Sequence, residues 1–500
     1  MDRDNVIMII TVGTRDVNLD GEIFGNVTYS EKFSELKDAF NGRANTLSIR
    51  NGGKIIYENY ERYRKRLSFP IIEPIIEHVL GENNKIDKIF IITTDQKENV
   101  KDQYRDRDTL FFGKIIEKMI KQKYKKRFSN IECYEVECNN ITDLGNMNDE
   151  FKKFYNKKLK KYIGNAKLYI DSMGGIDSIN TAVMINGILS FQNDCIILHK
   201  SEECNMVHPL RFVSSFTLEM DKSRLKKALE NYNYIYALEI VKSNKNLSKY
   251  EDIIEIIKNR LYFNLDECKR IAHKVEAEAL YDDKIRDEII KNLDEIEKIE
   301  NSSEGKIKEL YFNARIKYIQ EQYVDFLLRI FRFEEELVTN YTCKYLGIKQ
   351  SERYEKINIK NVCCKNNYLK EYLQQKDIEI EMGYNIKIGE AVVNFLIEEN
   401  KDKDGSKLIE DENILNKCKN VYKLINHLDC LSQLRNKSIG AHGFQPVSKE
   451  KIDEKLKELK PISLCIDDVF KEIEENIGDG FYGSSYTRVN NLIINQLDKI

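Results

Sequence analysis

The chain has 500 residues, with 80 Lys and Arg against 83 Asp and Glu and a formal net charge of −3. That balance excludes a globally basic nucleic-acid binder, so any RNA must be held by a local patch. With 41% hydrophobic residues the chain can bury about two to four domain cores, yet no apolar run approaches the roughly 20 residues of a membrane helix. The charged start Met1-Asp2-Arg3-Asp4 does not suit a signal peptide. A cytoplasmic protein with no membrane partner is expected.

Residues 6–12 (VIMIITV) read as a buried strand ending at Gly13-Thr14-Arg15-Asp16. Further strand-like runs lie at 86–94, ending at Asp95-Gln96, and at 131–136, 167–171 and 195–199. The run at 167–171 leads into Ser172-Met173-Gly174-Gly175 and a predicted helix over 176–189. Strands alternating with helices predict an α/β Rossmann-like N-terminal domain over 1–216, with a parallel sheet. In open sheets of this kind ligands lie outside the carboxyl ends of the strands, so residues 13–16, 93–96 and 171–175 should share one rim. Gly174 and Gly175 would let backbone N–H groups meet an anion at the start of the following helix, and Thr14, Thr94 and Ser172 would add hydroxyls. A tight turn is the plainer use of two glycines. Because VGTRDVNLDG lacks G-x-G-x-x-G after the first strand, a nicotinamide enzyme is disfavoured, and a phosphorylated or nucleotide ligand suits the rim better.

Residues 17–70 form a long link in which Arg62, Arg64, Lys65 and Arg66 interleave with Tyr57, Tyr60 and Tyr63. This pattern fits a solvated helix face with its aromatics packed inward better than a nucleic-acid surface. Residues 102–108 (DQYRDRD) read as a polar surface loop. From 217 to 304 the periodicity is helical, giving an all-α connector, and residues 301–305 (NSSEG) mark a boundary. Ile316, Ile319, Tyr323, Phe326, Leu327, Ile330 and Phe333 have the spacing of one long amphipathic helix. Helices at 413–434, 449–459, 462–476 and 486–497 complete an all-α bundle over 305–500. The 11 Cys are odd in number, scattered and without C-x-x-C, which favours buried free thiols over disulfides or a metal site.

Residues 435–442 (RNKSIGAH) bring an always-charged guanidinium, a carboxamide and an imidazole together. Arg435 falls near the exit of the helix at 413–434, and Gly440 supplies a break before His442. RNA cleavage needs little more: its 2′-hydroxyl attacks the adjacent phosphorus once it is aligned, protons are moved and charge on the phosphoryl oxygens is stabilised. His442 can act as acid or base near neutral pH, Arg435 offers a planar fork to phosphate, and Asn436 can orient the ribose or the histidine. No metal or cofactor is demanded by this set.

The string LRNKSIGAHGF resembles the R-N-x(n)-H signature of HEPN ribonucleases, a family whose metal-independent centre is usually composite across a two-fold dimer. The resemblance implies that Arg435, Asn436 and His442 are catalytic, with six residues between Arg and His at the long end of the family's range. MIITVGTRD and KLYIDSMGGIDSINTAVMINGIL resemble CARF domains, the CRISPR-associated Rossmann-like sensors that bind a cyclic oligoadenylate as dimers. That likeness implies a ligand site of Gly13, Thr14, Asp16, Asp171, Ser172, Gly174 and Gly175, with Thr94 added from the rim argument. Gly175 stands where relatives often have a hydroxyl residue.

The order of parts resembles the CARF-HEPN ribonucleases that accompany type III CRISPR systems. It implies a homodimeric endoribonuclease acting on single-stranded RNA, switched on by cyclic hexa-adenylate or cyclic tetra-adenylate, and leaving a 2′,3′-cyclic phosphate. Two other readings fit the same residues: a nucleotide-responsive RNA-binding protein, and a constitutive HEPN ribonuclease toxin.

Overall fold

The computed structural model describes residues 5–40, 45–136, 140–201, 206–277, 282–348, 357–380, 383–441, 443–458, 464–478 and 480–499. The chain divides into two compact units, residues 1–220 and 221–500.

Among its described residues the first unit holds nine strands: β1 (Asn5–Thr11), β2 (Asn18–Leu19), β3 (Glu22–Ile23), β4 (Leu67–Ser68), β5 (Ile86–Thr94), β6 (Phe128–Val136), β7 (Ala166–Asp171), β8 (Cys195–Lys200) and β9 (Val207–Pro209). Six of them form one sheet in the order β6-β5-β1-β7-β8-β9, parallel throughout except for β9. β1 is central, pairing Ile9 with Phe90 on one side and with Ile170 on the other. Helices cover both faces, which is why its apolar run is continuous rather than alternating. Met8 and Ile10 enter one core, Ile7 and Ile9 the opposite one, and all four are fully buried.

Two strands differ from expectation. β6 starts three residues earlier than the apolar run, because it lies on the sheet edge and its first residues are largely exposed. The short β9 caps the other edge, and its Pro209 removes a donor that a central strand would need.

The link at 17–70 is a folded subdomain. β2, β3 and β4 make a small antiparallel sheet, and the helix Ile49–Glu58 lies against Leu110–Lys123, with Gly53 facing Phe111 and Phe112. The inward-aromatic reading holds here: Tyr60 and Tyr63 are buried, while Arg62 pairs with Glu35 and Arg66 with Asp20.

Among the described residues the second unit is mainly helical. Helices expected as connector and as bundle share a buried polar network. Arg260 on Glu251–Leu261 is fully buried, paired with Glu309 at 2.7 Å and with Glu295 at 2.8 Å, and it donates to Asn292 at 3.0 Å. Tyr486 Oη also donates to Glu309, at 2.5 Å. A buried charge with this many partners is costly to strip of any one of them.

The single long helix expected through 316–333 is two helices, Ser303–Ile319 and Tyr323–Tyr345. Glu321 takes a left-handed φ of 59°, and Gln322 N–H donates to Lys317 O at 2.9 Å, the geometry of a Schellman stop. Glycine normally fills that position; here a glutamate does, so the apolar spacing carried no sign of the break.

Among the described residues no helix is long and apolar enough to cross a membrane, and no group of three or more His, Cys, Asp or Glu side chains is placed to hold a metal ion.

Candidate functional site

In the first unit, β5 and β6 lie to one side of β1, and β7 and β8 to the other. The β1/β7 boundary is therefore the switch point at whose carboxyl ends a ligand crevice opens. A cavity of about 660 Å³ lies there, within the roughly 300–1,000 Å³ typical of small-molecule sites. Gly13, Thr14, Thr94 and Gly175 line it. So do Ile176 and Ile179, at a helix start (Asp177–Phe191) that has no side-chain cap, the kind of helix end that can receive an anion.

Asp16, Asp171 and Gly174 do not line the cavity, and neither does the partly exposed Ser172. Asp16 and Asp171 are fully buried behind the two loops, where they hold the rim together. Gly13 N–H donates to Asp16 Oδ2 at 2.6 Å, and Met173 N–H to Asp171 Oδ1 at 3.1 Å. Thr11 Oγ1 lies within hydrogen-bond distance of Asp171 O and Gly174 O, at 3.1 and 3.0 Å. Burial pushes both carboxyls well above their usual range, and the charge of Asp16 raises Asp171 further. The pair thus retains a proton near neutral pH.

Both glycines are needed, for different reasons. A methyl group on Gly174 would come within 2.1 Å of Asp16 Oδ2 and 2.4 Å of Thr11 O, and Gly175 has φ +79°.

The segment read as a polar surface loop supplies the rest of the rim. Tyr104 and Arg107 line the cavity from it, but Asp108 is 1% exposed, which corrects the surface reading. Asp108 Oδ2 accepts from Arg50 Nη1 at 2.6 Å and from Gln96 N–H at 2.8 Å, and Arg50 Nη2 also pairs with Asp95 at 2.6 Å. Arg50 belongs to the 17–70 subdomain, so that subdomain braces two loops of the cavity wall. Thr94 and Thr109 exchange reciprocal backbone-to-hydroxyl bonds at 3.2 Å. Gln96 lines the cavity as the rim argument expected, whereas sequence reading missed Arg50, Tyr104, Arg107 and Asp108; clustered charge in a loop reads as solvated until the fold buries one member.

In the second unit, the helix Glu412–Lys437 carries Arg435 and Asn436 on its last turn. The Arg435 guanidinium stacks 3.5 Å from the ring centroid of Phe331. Its Nε and Nη2 donate to Asn436 Oδ1 at 3.1 and 2.7 Å, while Nη1 makes no hydrogen bond among the described residues. Asn436 therefore orients the arginine, a role not among those expected for it.

The helix ends at Ser438, two residues before the expected break at Gly440. Ser438 is fully buried; its Oγ donates to Arg435 O at 2.7 Å and accepts from Gly440 N–H at 3.2 Å. Ala441 N–H and Gly443 N–H both donate to Ser438 O at 3.1 Å. A methyl group on Gly443 would meet Lys437 O at 2.1 Å. His442 lies outside the described residues.

Beside this turn sits a buried acid. Glu334, on the same helix as Phe331, is 2% exposed, and its Oε1 has no partner among the described residues. Burial first, then the charges of Glu390 and Asp429, push its carboxyl up to about 9 against a smaller opposing pull from Arg435. Glu390 is likewise raised, to about 7. A neutral Glu334 leaves the arginine's charge uncancelled.

Residues 296–462 match the family model of the Csm6 HEPN domain. This HEPN segment contains Arg435, Asn436 and His442. The structure of the whole chain resembles that of Enterococcus italicus Csm6 bound to cyclic hexa-2′-fluoro-hexa-dAMP, with a TM-score of 0.53 and 13% sequence identity, over 98% of this chain and 99% of that one. At that identity the likeness speaks for the fold, an N-terminal Rossmann-like α/β part followed by helices with the HEPN segment among them. No curated protein matches the sequence.

Proposed function

We propose that the chain is an endoribonuclease of CRISPR antiviral defence, acting in the cytoplasm as a homodimer. It cleaves single-stranded RNA without a metal cofactor when a cyclic oligoadenylate binds residues 1–220. The observation that carries this reading is Arg435: a guanidinium stacked on Phe331 and steered by Asn436, with Nη1 unengaged among the described residues, within a segment that matches the Csm6 HEPN domain.

In the proposed reaction Arg435 Nη1 donates to a non-bridging phosphoryl oxygen, and its charge stabilises the dianionic phosphorane as the 2′-hydroxyl attacks. His442 moves the protons: an imidazole accepts the 2′-hydroxyl proton and an imidazolium protonates the departing 5′-oxygen. Two copies meeting at the HEPN segment would set two such groups around one groove and divide the acid and base roles. The products are a 2′,3′-cyclic phosphate and a 5′-hydroxyl.

The activator reading is supported by the switch-point cavity, the uncapped helix start beside Gly175, and Tyr104 and Arg107 on the wall, a ring for adenine and a cation for phosphate. Cyclic hexa-adenylate is the first choice, in view of the hexameric ligand bound by the Enterococcus italicus protein, and cyclic tetra-adenylate the second. End-group analysis of a cleaved oligoribonucleotide by mass spectrometry tests the chemistry. A 2′,3′-cyclic phosphate is expected, whereas 5′-phosphate with 3′-hydroxyl ends would rule out attack by the 2′-hydroxyl.

A further inference from the structure

Phe444 follows the turn that closes the catalytic helix, and at 90% exposure it is the most exposed large apolar side chain among the described residues. It is not a loosely hanging side chain. The backbone on both sides is pinned to the helix end, by Gly443 N–H donating to Ser438 O at 3.1 Å and Gln445 N–H donating to Lys437 O at 2.9 Å. The close approach of Gly443 to Lys437 O leaves that turn no room to collapse. A ring displayed on a fixed turn forgoes burial, so its exposure asks for a partner.

The charge around it indicates which partner. Between residues 435 and 451 the chain carries four cations, Arg435, Lys437, Lys449 and Lys451, and a single anion, Glu450. Lys451 Nζ is anchored on the turn itself, donating to Pro446 O at 2.8 Å. Where two copies meet around one groove, these cations would face their own copies across it, a like-charge arrangement that an anion lying in the groove relieves and a direct ring-to-ring contact over Phe444 does not. A polyanion with flat, unstacked bases satisfies both features at once: the cations follow its phosphates, and the ring takes a base face.

We infer that Phe444 is a stacking platform for a base of the single-stranded RNA substrate next to the cut site, which makes it a determinant of substrate binding rather than of the chemical step. The inference rests on the ribonuclease reading above. Stacking requires only a π-face, so tyrosine or tryptophan substitutes for phenylalanine and an aliphatic residue does not.

The chain contains no tryptophan, so Phe444→Trp creates a single fluorescent reporter at the proposed contact. In a His442→Ala background that binds without cutting, titration with a linear ten-nucleotide RNA of mixed sequence should quench its emission saturably. In the His442-containing protein, Phe444→Ala should raise KM for RNA about ten-fold with kcat little changed and the melting temperature unaltered, and Phe444→Tyr should restore it. Native-like KM in Phe444→Ala overturns the inference while leaving the ribonuclease intact. Tryptophan emission that is blue-shifted without RNA and reddens as the dimer dissociates on dilution also overturns it, and assigns the ring to a second copy. Absence of any RNA cleavage by the native protein would instead remove the underlying reading.

Discussion

Ser438 and Glu334 carry the local energetics of the turn after Arg435. The buried Ser438 hydroxyl donates to Arg435 O and accepts from Gly440 N–H, so Ser438→Ala takes away the partner of the part-buried Gly440 N–H and leaves Arg435 O with the Ser438 N–H alone among the described residues. A loss of about 1–3 kcal/mol in stability is expected, together with at least a ten-fold drop in RNA cleavage as Arg435 loses its fixed position; denaturant melts and initial rates check both. Glu334 gives a pH dependence with a defined sign. Its carboxyl titrates near 9 in the folded chain, against 4.5 for an ordinary glutamate, so between those values the folded state keeps a proton the unfolded chain has lost. The contribution is complete below about pH 4.5 and is lost as pH rises toward 9. Glu334→Gln mimics the protonated acid, and its urea midpoint should fall less than that of the native protein from about pH 5 to about pH 9; parallel curves would show that Glu334 is ionised in the folded state.

At the scale of elements, the 17–70 subdomain acts on the ligand cavity through Arg50, which ties Asp108 and Asp95 together from the start of its own helix. Arg50→Met keeps the side chain's bulk but removes the cation that joins Asp108 to Asp95, leaving the Asp108 carboxylate to Gln96 alone among the described residues. It should weaken binding of cyclic oligoadenylate at least ten-fold by isothermal titration calorimetry, and leave cleavage at saturating activator near the native rate. How much of this was legible in the sequence depended on whether the signal was local. The continuous apolar runs gave β1, β5, β7 and β8 to within a residue at each end, and Gly174-Gly175 pointed to the rim, because full burial and glycine geometry leave traces in neighbouring residues. The helix break at 320–322 left none, since a glutamate fills the left-handed position. Nor did the burial of Asp108, which depends on Arg50, 58 positions earlier. Arg435 and Asn436 were legible as a pair, but the Phe331 ring beneath the guanidinium comes from another helix, and only the packing of the two brings it there.

For the whole molecule, the proposed nucleotide cavity belongs to the first compact unit and the proposed catalytic turn to the second. On the proposed reading, activation requires that the cyclic nucleotide bind the cleaving arrangement of the chain more tightly than the resting one, by a coupling of about 1–3 kcal/mol or more. By the same linkage, RNA bound to a His442→Ala protein should tighten activator binding by the factor with which the activator tightens RNA. The central claim, a nucleotide-switched ribonuclease that works with a guanidinium and an imidazole, is tested most directly by cleavage of a labelled RNA in EDTA. The assay is run with and without cyclic hexa- or tetra-adenylate, for the native protein and for His442→Ala. Cleavage is expected only from the native protein and only with the cyclic nucleotide. Equal cleavage without the nucleotide, or cleavage that survives His442→Ala, would contradict it.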